Sequence, residues 1–367
     1  MQHPRFALES RHIVFLVIGA QIATGLFILP RIASEHSGQD AWVAVLLGSL
    51  LPLASILLIN FACRQRPEAS LTEYLTTLGG RWFAFGFILL LLSFLILFEA
   101  TVVRLFVEIS SSLLLPRTPV WMIALLIVLA VVYQAMQGAT VVARVNEMYF
   151  FILAVLIVAL VLVSIPHFQW TSMQPVLGHG LQDIARDSLK TMYSFAGVEI
   201  LVLYYFMVKR REQVLKAALM GWLITLIIYL TVTVICLLSF GAELLTNLTW
   251  PVLLIMKLGK LPVIERMEFF FLLFWLGIGV RPMVNATCAM AHSLGTLFEF
   301  DFKRWFKPTV ALLGAIIMVV SLLEQGVEQA LKWSEWCGYM SAIFGIALPL
   351  LLCVIRLVRG KAVAPDG

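Results

Sequence analysis

The chain has 367 residues, of which 61% are hydrophobic and 13% charged, whereas a soluble domain carries roughly 45–50% apolar and about 25% charged residues. So little polar surface cannot face water on all sides, which excludes an ordinary soluble enzyme and points to a polytopic membrane protein. The net charge of +5 is modest and gives no reason to expect nucleic acid as a partner.

A helix that crosses a bilayer needs about 20 mostly apolar residues. Ten such spans are predicted in chain order, at 11–33, 41–62, 82–111, 119–137, 142–165, 187–208, 214–240, 266–294, 309–324 and 337–358. The first has no small-residue cleavage site after it and is expected to be a retained span, not a signal peptide. The longest connections are 166–186 and 241–265. The former, "PHFQWTSMQPVLGHG", reads as a loop with a partial lid; the latter, with "TWPVLLIMKLGKLP", as a short amphipathic helix lying on the membrane face. No sizeable soluble domain remains, so residues 1–367 form one transmembrane domain. Lysines and arginines are roughly twice as frequent in the connections that share a side with the N-terminus, which predicts both termini in the cytoplasm.

The first span contains "VIGAQIATGLFILP", residues 17–30. Gly19 and Gly25 are weak helix formers, and Gln21 and Thr24 compete with the backbone for hydrogen bonds. A helix break is expected here, and inside a bilayer a break survives only where protein or a wet cavity satisfies the freed groups. The sixth span holds a second weak patch, Ser194, Ala196 and Gly197, next to an ionisable Glu199. Spans one and six occupy corresponding positions if the ten divide as five plus five, and paired interrupted helices mark a transporter-type binding site between inverted repeats. The repeats are expected at about 11–165 and about 187–358. At such a site the half-helix after the break offers N–H donors to a carboxylate and the half-helix before it offers carbonyls to an ammonium. The donors are placed at Ala23, Thr24 and Gly25, and the acceptors near Gly19, Ala20 and Phe195; Ala23 and Gly197 are expected to face each other across a small pocket. Gln21 and Ser194 complete the candidate ligand-binding set.

Ionisable side chains deep in a span are functional candidates by default. Glu99, Arg104 and Glu108 lie in the third span; Arg104 and Glu108, four apart, are expected to pair, leaving Glu99 toward the cavity. Arg281 in the eighth span requires a carboxylate partner; Glu99 and Glu199 are the candidates, and the sequence does not choose. Glu99, Glu199 and Arg281 form the candidate set for ion or proton coupling and gating. Tyr193, Tyr204 and Tyr205 are candidates to line the path, while Arg144, Asn146 and Glu147 are expected to anchor the fifth span at the cytoplasmic interface. Thr287 and Ser293 do not make a persuasive sodium site, so protons are the expected coupling ion if transport occurs. The five cysteines and six histidines show no metal-ligand spacing, and no nucleophile–base pair or phosphate loop appears; no cofactor and no catalytic residue are expected.

"GAQIATGLF", residues 19–27, resembles the GxxIGxGIF motif of the first helix of amino-acid/polyamine/organocation permeases, with Ala23 where glycine is usual, and "SFAGVE", residues 194–199, resembles their sixth-helix FxGxE pattern. Within that superfamily, "HSGQDAW" at 36–42, "ARVNEM" at 143–148, and the chain length with ten spans resemble the B-subunit of spore germinant receptors. The resemblance covers nearly the whole chain. It implies an all-α membrane fold with a LeuT-like 5+5 inverted repeat and broken helices 1 and 6. It also implies sensing of an amino-acid-like germinant in the inner membrane of the dormant spore, alongside a receptor A-subunit and a lipoprotein C-subunit. The alternative is an autonomous proton-coupled amino-acid transporter, which needs the same pocket.

Overall fold

The computed structural model describes residues 8–64, 68–258, 267–324 and 326–359. The described residues contain helices, turns and one isolated parallel bridge, Leu8 to Val208, but no strand. Residues 259–265 of the second long connection lie outside them, as do Arg5, Arg66, Lys260, Arg266 and Lys361 among the basic residues behind the predicted orientation.

The first span is two helices, α1 (Ser10–Gln21) and α2 (Gly25–Ser34), bent by 61° across residues 22–24. The second is α3 (Ala41–Gly48) and α4 (Leu50–Cys63), interrupted at Ser49, whose carbonyl accepts from the Trp222 indole at 2.9 Å. The third, α5 (Leu71–Leu113), begins about three turns before the predicted start; Gly80, at φ 82°, kinks it there, so the early part is a separate helical stretch. Next come α6 (Val120–Ala135) and α7 (Ala139–Ser164). The sixth span is α8 (Leu181–Thr191), a tight turn over Met192–Phe195, a break, a second tight turn over Val198–Ile200 and α9 (Leu201–Tyr204). Then α10 (Val214–Asn247) follows, kinked at Gly241, one residue beyond the predicted end of the seventh span. The expected short helix is α11 (Pro251–Leu258). The eighth span is α12 (Met267–Gly279) with α13 (Arg281–Leu297), and α14 (Phe302–Leu323) and α15 (Gly326–Arg359) close the bundle.

Among the described residues, seven segments are long and apolar enough to cross a bilayer, or eight with the bent α1–α2 pair. The fourth and sixth predicted spans are present as shorter apolar helices, α6 and residues 198–207. On α7, Phe151, Val155, Val158 and Leu162 recur at spacings of three and four and are all exposed, an apolar stripe that only lipid can cover favourably. The inner face of the bundle is the reverse. α1 packs on α7, α10 and α13, and α15 packs on α4, α5 and the turn at 192–195. Both breaks are therefore enclosed by other spans, which is the condition for irregular backbone at membrane depth. At the N-terminal face, Leu8 N–H donates to Met207 O at 3.1 Å and Lys209 N–H to Leu8 O at 2.9 Å, tying the entry of α1 to the end of the sixth span.

Candidate ligand site at the two helix breaks

The last turn of α1 is intact: Ile22 N–H still reaches Ile18 O at 3.0 Å. Helical bonding resumes with Leu26 N–H to Ala23 O and Phe27 N–H to Thr24 O, both 3.1 Å. The N–H groups of Ala23, Thr24 and Gly25 in between have no hydrogen-bond partner among the described residues. They are the orphan donors that any helix start leaves, here buried at the bend.

In the sixth span the chain reverses at Gly197, whose φ of 105° is a left-handed conformation that side chains disfavour. A β-carbon there would also lie 2.5 Å from the Ala20 carbonyl oxygen. One on Gly25 would lie 3.0 Å from Ser194 Cα. The two breaks therefore touch directly, Gly25 on Ser194 and Gly197 on Ala20. This corrects the expected pairing of Gly197 with Ala23: the left-handed turn folds the chain back onto the end of α1, one turn before Ala23.

Side chains already hold several of the freed carbonyls. Gln21 Nε2 donates to Phe195 O at 3.0 Å. The Tyr229 hydroxyl, on α10, lies 2.7 Å from both Gln21 O and Ser194 O, sharing its single proton between the breaks. Thr24 Oγ1 and Tyr193 Oη are 3.4 Å apart, and Ser194 Oγ donates to Gly25 O at 3.4 Å. Below the contact, Ala20, Gly197, Leu16, Val17, Leu201 and Tyr204 are among the residues around a cavity with room for about one water.

Glu199 stands at the start of the second half-helix. Its Oε2 accepts from the Gly197 N–H at 3.0 Å, and Ser341 Oγ from α15 approaches both oxygens at 3.0 and 3.1 Å. A carboxylate in this position complements the helix N-terminus. Glu99 is fully buried with both oxygens unpaired among the described residues. Arg104 pairs with Glu108 as expected. Arg281 overturns the expected carboxylate pairing: it is 1% exposed, but neither Glu99 nor Glu199 reaches it. The reason is local. Pro282 has no N–H to give to the carbonyl four residues back, Ile278, and Arg281 Nε takes that carbonyl at 2.8 Å instead. This holds the guanidinium against its own helix.

Each end of the site is fastened. Toward the N-terminal face, Asn146 and Asn285 pair through their amides beside Gly19, where an added β-carbon would overlap Asn146 Oδ1. Tyr204 Oη donates to Asn285 O at 2.8 Å. Asn146 is thus a buried contact between spans, not the interfacial anchor expected of it; Glu147 does lie at that surface, 3.6 Å from Arg11 Nη1. At the opposite face, buried Asp187 of α8 accepts from His36 N–H at 2.7 Å and Ser37 N–H at 2.8 Å, and His36 Nδ1 lies at 2.8 Å. Lys190 pairs with Glu35. Buried Asp40 accepts from Leu177 N–H at 2.6 Å and His179 N–H at 3.0 Å, laying the 166–186 connection over the segment after α2. The "HSGQDAW" run therefore builds this clasp. Tyr229 and Asp187 escape sequence reasoning. A phenol in "IIYL" and an aspartate at a predicted span start were the available signals.

A sequence model of the family described as "Spore germination protein" (Spore_permease) matches residues 7–330. Among curated proteins, the spore germination protein YndE of Bacillus subtilis (strain 168) is 27% identical over 98% of this chain and 99% of its own length. The spore germination protein GerQB of Bacillus cereus is 26% identical over 92% and 93%. Solved structures share the fold, among them the following two. MhsT in complex with L-phenylalanine has a TM-score of 0.69 at 15% identity, covering 99% of this chain and 91% of that one. MHP1, a nucleobase-cation-symport-1 family transporter in a closed conformation with bromovinylhydantoin bound, has a TM-score of 0.68 at 16% identity, covering 98% and 81%. The chain is therefore a multi-pass membrane protein with the LeuT-like transporter fold and belongs to the spore germination protein family.

Proposed function

We propose that this chain is the germinant-sensing subunit of a spore germination receptor, and that it binds a small amino-acid-like germinant where the two breaks meet. The observation that carries this reading is the contact of the breaks, Gly25 on Ser194 and Gly197 on Ala20, with the donors of Ala23, Thr24 and Gly25 left open beside it. Family membership and the germination roles in its relatives' names support it. In this reading Gly19, Ala20, Gln21, Ala23, Thr24, Gly25, Ser194, Phe195 and Gly197 form the pocket, with Glu99, Glu199 and Arg281 coupling occupancy to movement. The repeats are 11–165 and 187–358. The N-terminal face is cytoplasmic, the membrane is the inner membrane of the spore, and the partners are a receptor A-subunit and a lipoprotein C-subunit.

The role is binding and not catalysis. The fastened ends describe a closed receptor, and a ligand that displaces Gln21 Nε2 from Phe195 O opens room at the breaks. The test is thermal stabilisation of the purified full chain across the twenty common amino acids. At least one is expected to raise the unfolding temperature of the parent and to leave Gly25→Val unmoved. Uptake of that amino acid by proteoliposomes holding this chain alone would instead establish an autonomous transporter.

A further inference from the structure

Arg281 is buried at 1% exposure, and one of its nitrogens is committed to Ile278 O. Nη1 and Nη2 have no acceptor among the described residues. Among the described residues, the ionisable groups that act on it electrostatically are the phenols Tyr149 and Tyr229. Tyr149 rests against Gly277 one turn up the same span, and Tyr229 is the phenol that bridges the two breaks. A guanidinium without an anion is costly to bury in a protein interior. Its free edge presents parallel N–H groups in the fork that fits a carboxylate.

We propose that Arg281 is the carboxylate anchor of the ligand site: its two Nη groups take the acid group of the germinant, so the receptor accepts free acids and rejects the corresponding neutral amides. The inference rests on the reading of the breaks as a ligand site, and it assigns the acid group to a side chain where the sequence places it on the backbone donors after the break. It also gives the buried cation a use that its position in the span does not otherwise supply. Tyr229, in contact with both breaks and close to Arg281, links the anchor to the helix ends.

The experiment uses the full chain in lipid nanodiscs. Thermal stabilisation is titrated with the twenty amino acids, their C-terminal amides, acetate and propionate, for the parent, Arg281→Gln and Arg281→Lys. The parent is expected to prefer an acid over its amide by about tenfold to a hundredfold, the size of a charge-assisted bidentate contact. In Arg281→Gln that ratio falls to near one, and in Arg281→Lys, which keeps the charge without the fork, it falls at least several-fold. An undiminished acid preference in Arg281→Gln, or in Arg281→Lys if the glutamine variant does not fold, overturns the proposal and returns the acid group to the backbone donors. If no amino acid stabilises the parent, the ligand reading itself fails. Acetate and propionate then still decide the anchor: stabilisation lost in the Arg281 variants upholds it, and an equal or absent response rejects it.

Discussion

Asn146 and Asn285 exchange amide hydrogen bonds across two spans, Nδ2 to Oδ1 at 2.7 Å in one direction and 3.3 Å in the other. Both are buried, and the pair sits against Gly19 on the last turns of α1. Replacing Asn146 by leucine strands the Asn285 amide in an apolar interior, and replacing Asn285 leaves Asn146 Oδ1 without a donor while its Nδ2 keeps Val142 O at 2.8 Å. Asn146→Leu and Asn285→Leu are each expected to cost roughly 1–3 kcal/mol. The double variant is expected to cost less than the sum of the two by about 0.5–3 kcal/mol. Equilibrium unfolding in detergent gives the cycle, and strict additivity would show that the two amides do not act together.

Tyr229 gives one hydroxyl proton to two carbonyls from different spans. Tyr229→Phe removes it while keeping the ring that packs edge-on against Phe195, with centroids 5.0 Å apart. The expected loss is roughly 1–3 kcal/mol, since buried carbonyls are left without a donor. Amide hydrogen exchange is expected to rise in segments 18–28 and 192–200 and to stay unchanged in 139–160. A uniform rise across all spans would instead mean that the tyrosine holds the whole bundle.

Gly25 is limited by space. The β-carbon of an alanine would lie 3.0 Å from Ser194, so a shift of a few tenths of an ångström accommodates it. Valine adds two further carbons toward the same backbone. Gly25→Ala is expected to lower stability by less than about 1 kcal/mol and Gly25→Val by roughly 1–3 kcal/mol. Unfolding temperatures of the series check the order, and equal values for the two variants would contradict the close contact of the breaks.

Asp187 holds the clasp at the face opposite the N-terminus. Asp187→Ala leaves the His36 and Ser37 N–H groups without their acceptor. The segment after α2 is expected to loosen there while α1 stays seated on α7. With Thr24→Cys as reporter, mass spectrometry of maleimide labelling is expected to show a rate about tenfold or more higher in the Asp187→Ala background. An unchanged rate would mean that the clasp does not control access to the bend.

The breaks were legible because their cause is local: glycine and hydrogen-bonding side chains at 19–25 and 194–197 weaken a helix wherever it is placed. The kink at Gly241 falls one residue past the predicted end of the seventh span, although α10 continues to Asn247. The short helix Pro251–Leu258 followed from an apolar run too brief to cross. The partner of Arg281 was not legible, although its explanation stands next to it in sequence. The expectation weighed the charge of the side chain and not the carbonyl that Pro282 releases. Asn146 was misplaced because "ARVNEM" has charges on both sides of it, and charge fixes the depth of a segment less sharply than one buried amide partner 139 residues away. The clasp was hidden for a similar reason, since Asp187 and His36 are 151 positions apart and no spacing rule links them.

The bridge between Leu8 and Val208 has a mechanical consequence. It lies about 20 Å from the bend at 22–24 along a helix rising 1.5 Å per residue, and it ties the far end of α1 to the far end of the 198–207 segment. Two arms that pivot at neighbouring points and are tied at their tips swing as one paddle. Withdrawal of α1 from α7 is therefore expected to draw Tyr204 with it, while Glu199 stays near the pivot on Ser341. A small parting of the breaks becomes, by leverage alone, a larger sweep at the N-terminal end of the molecule.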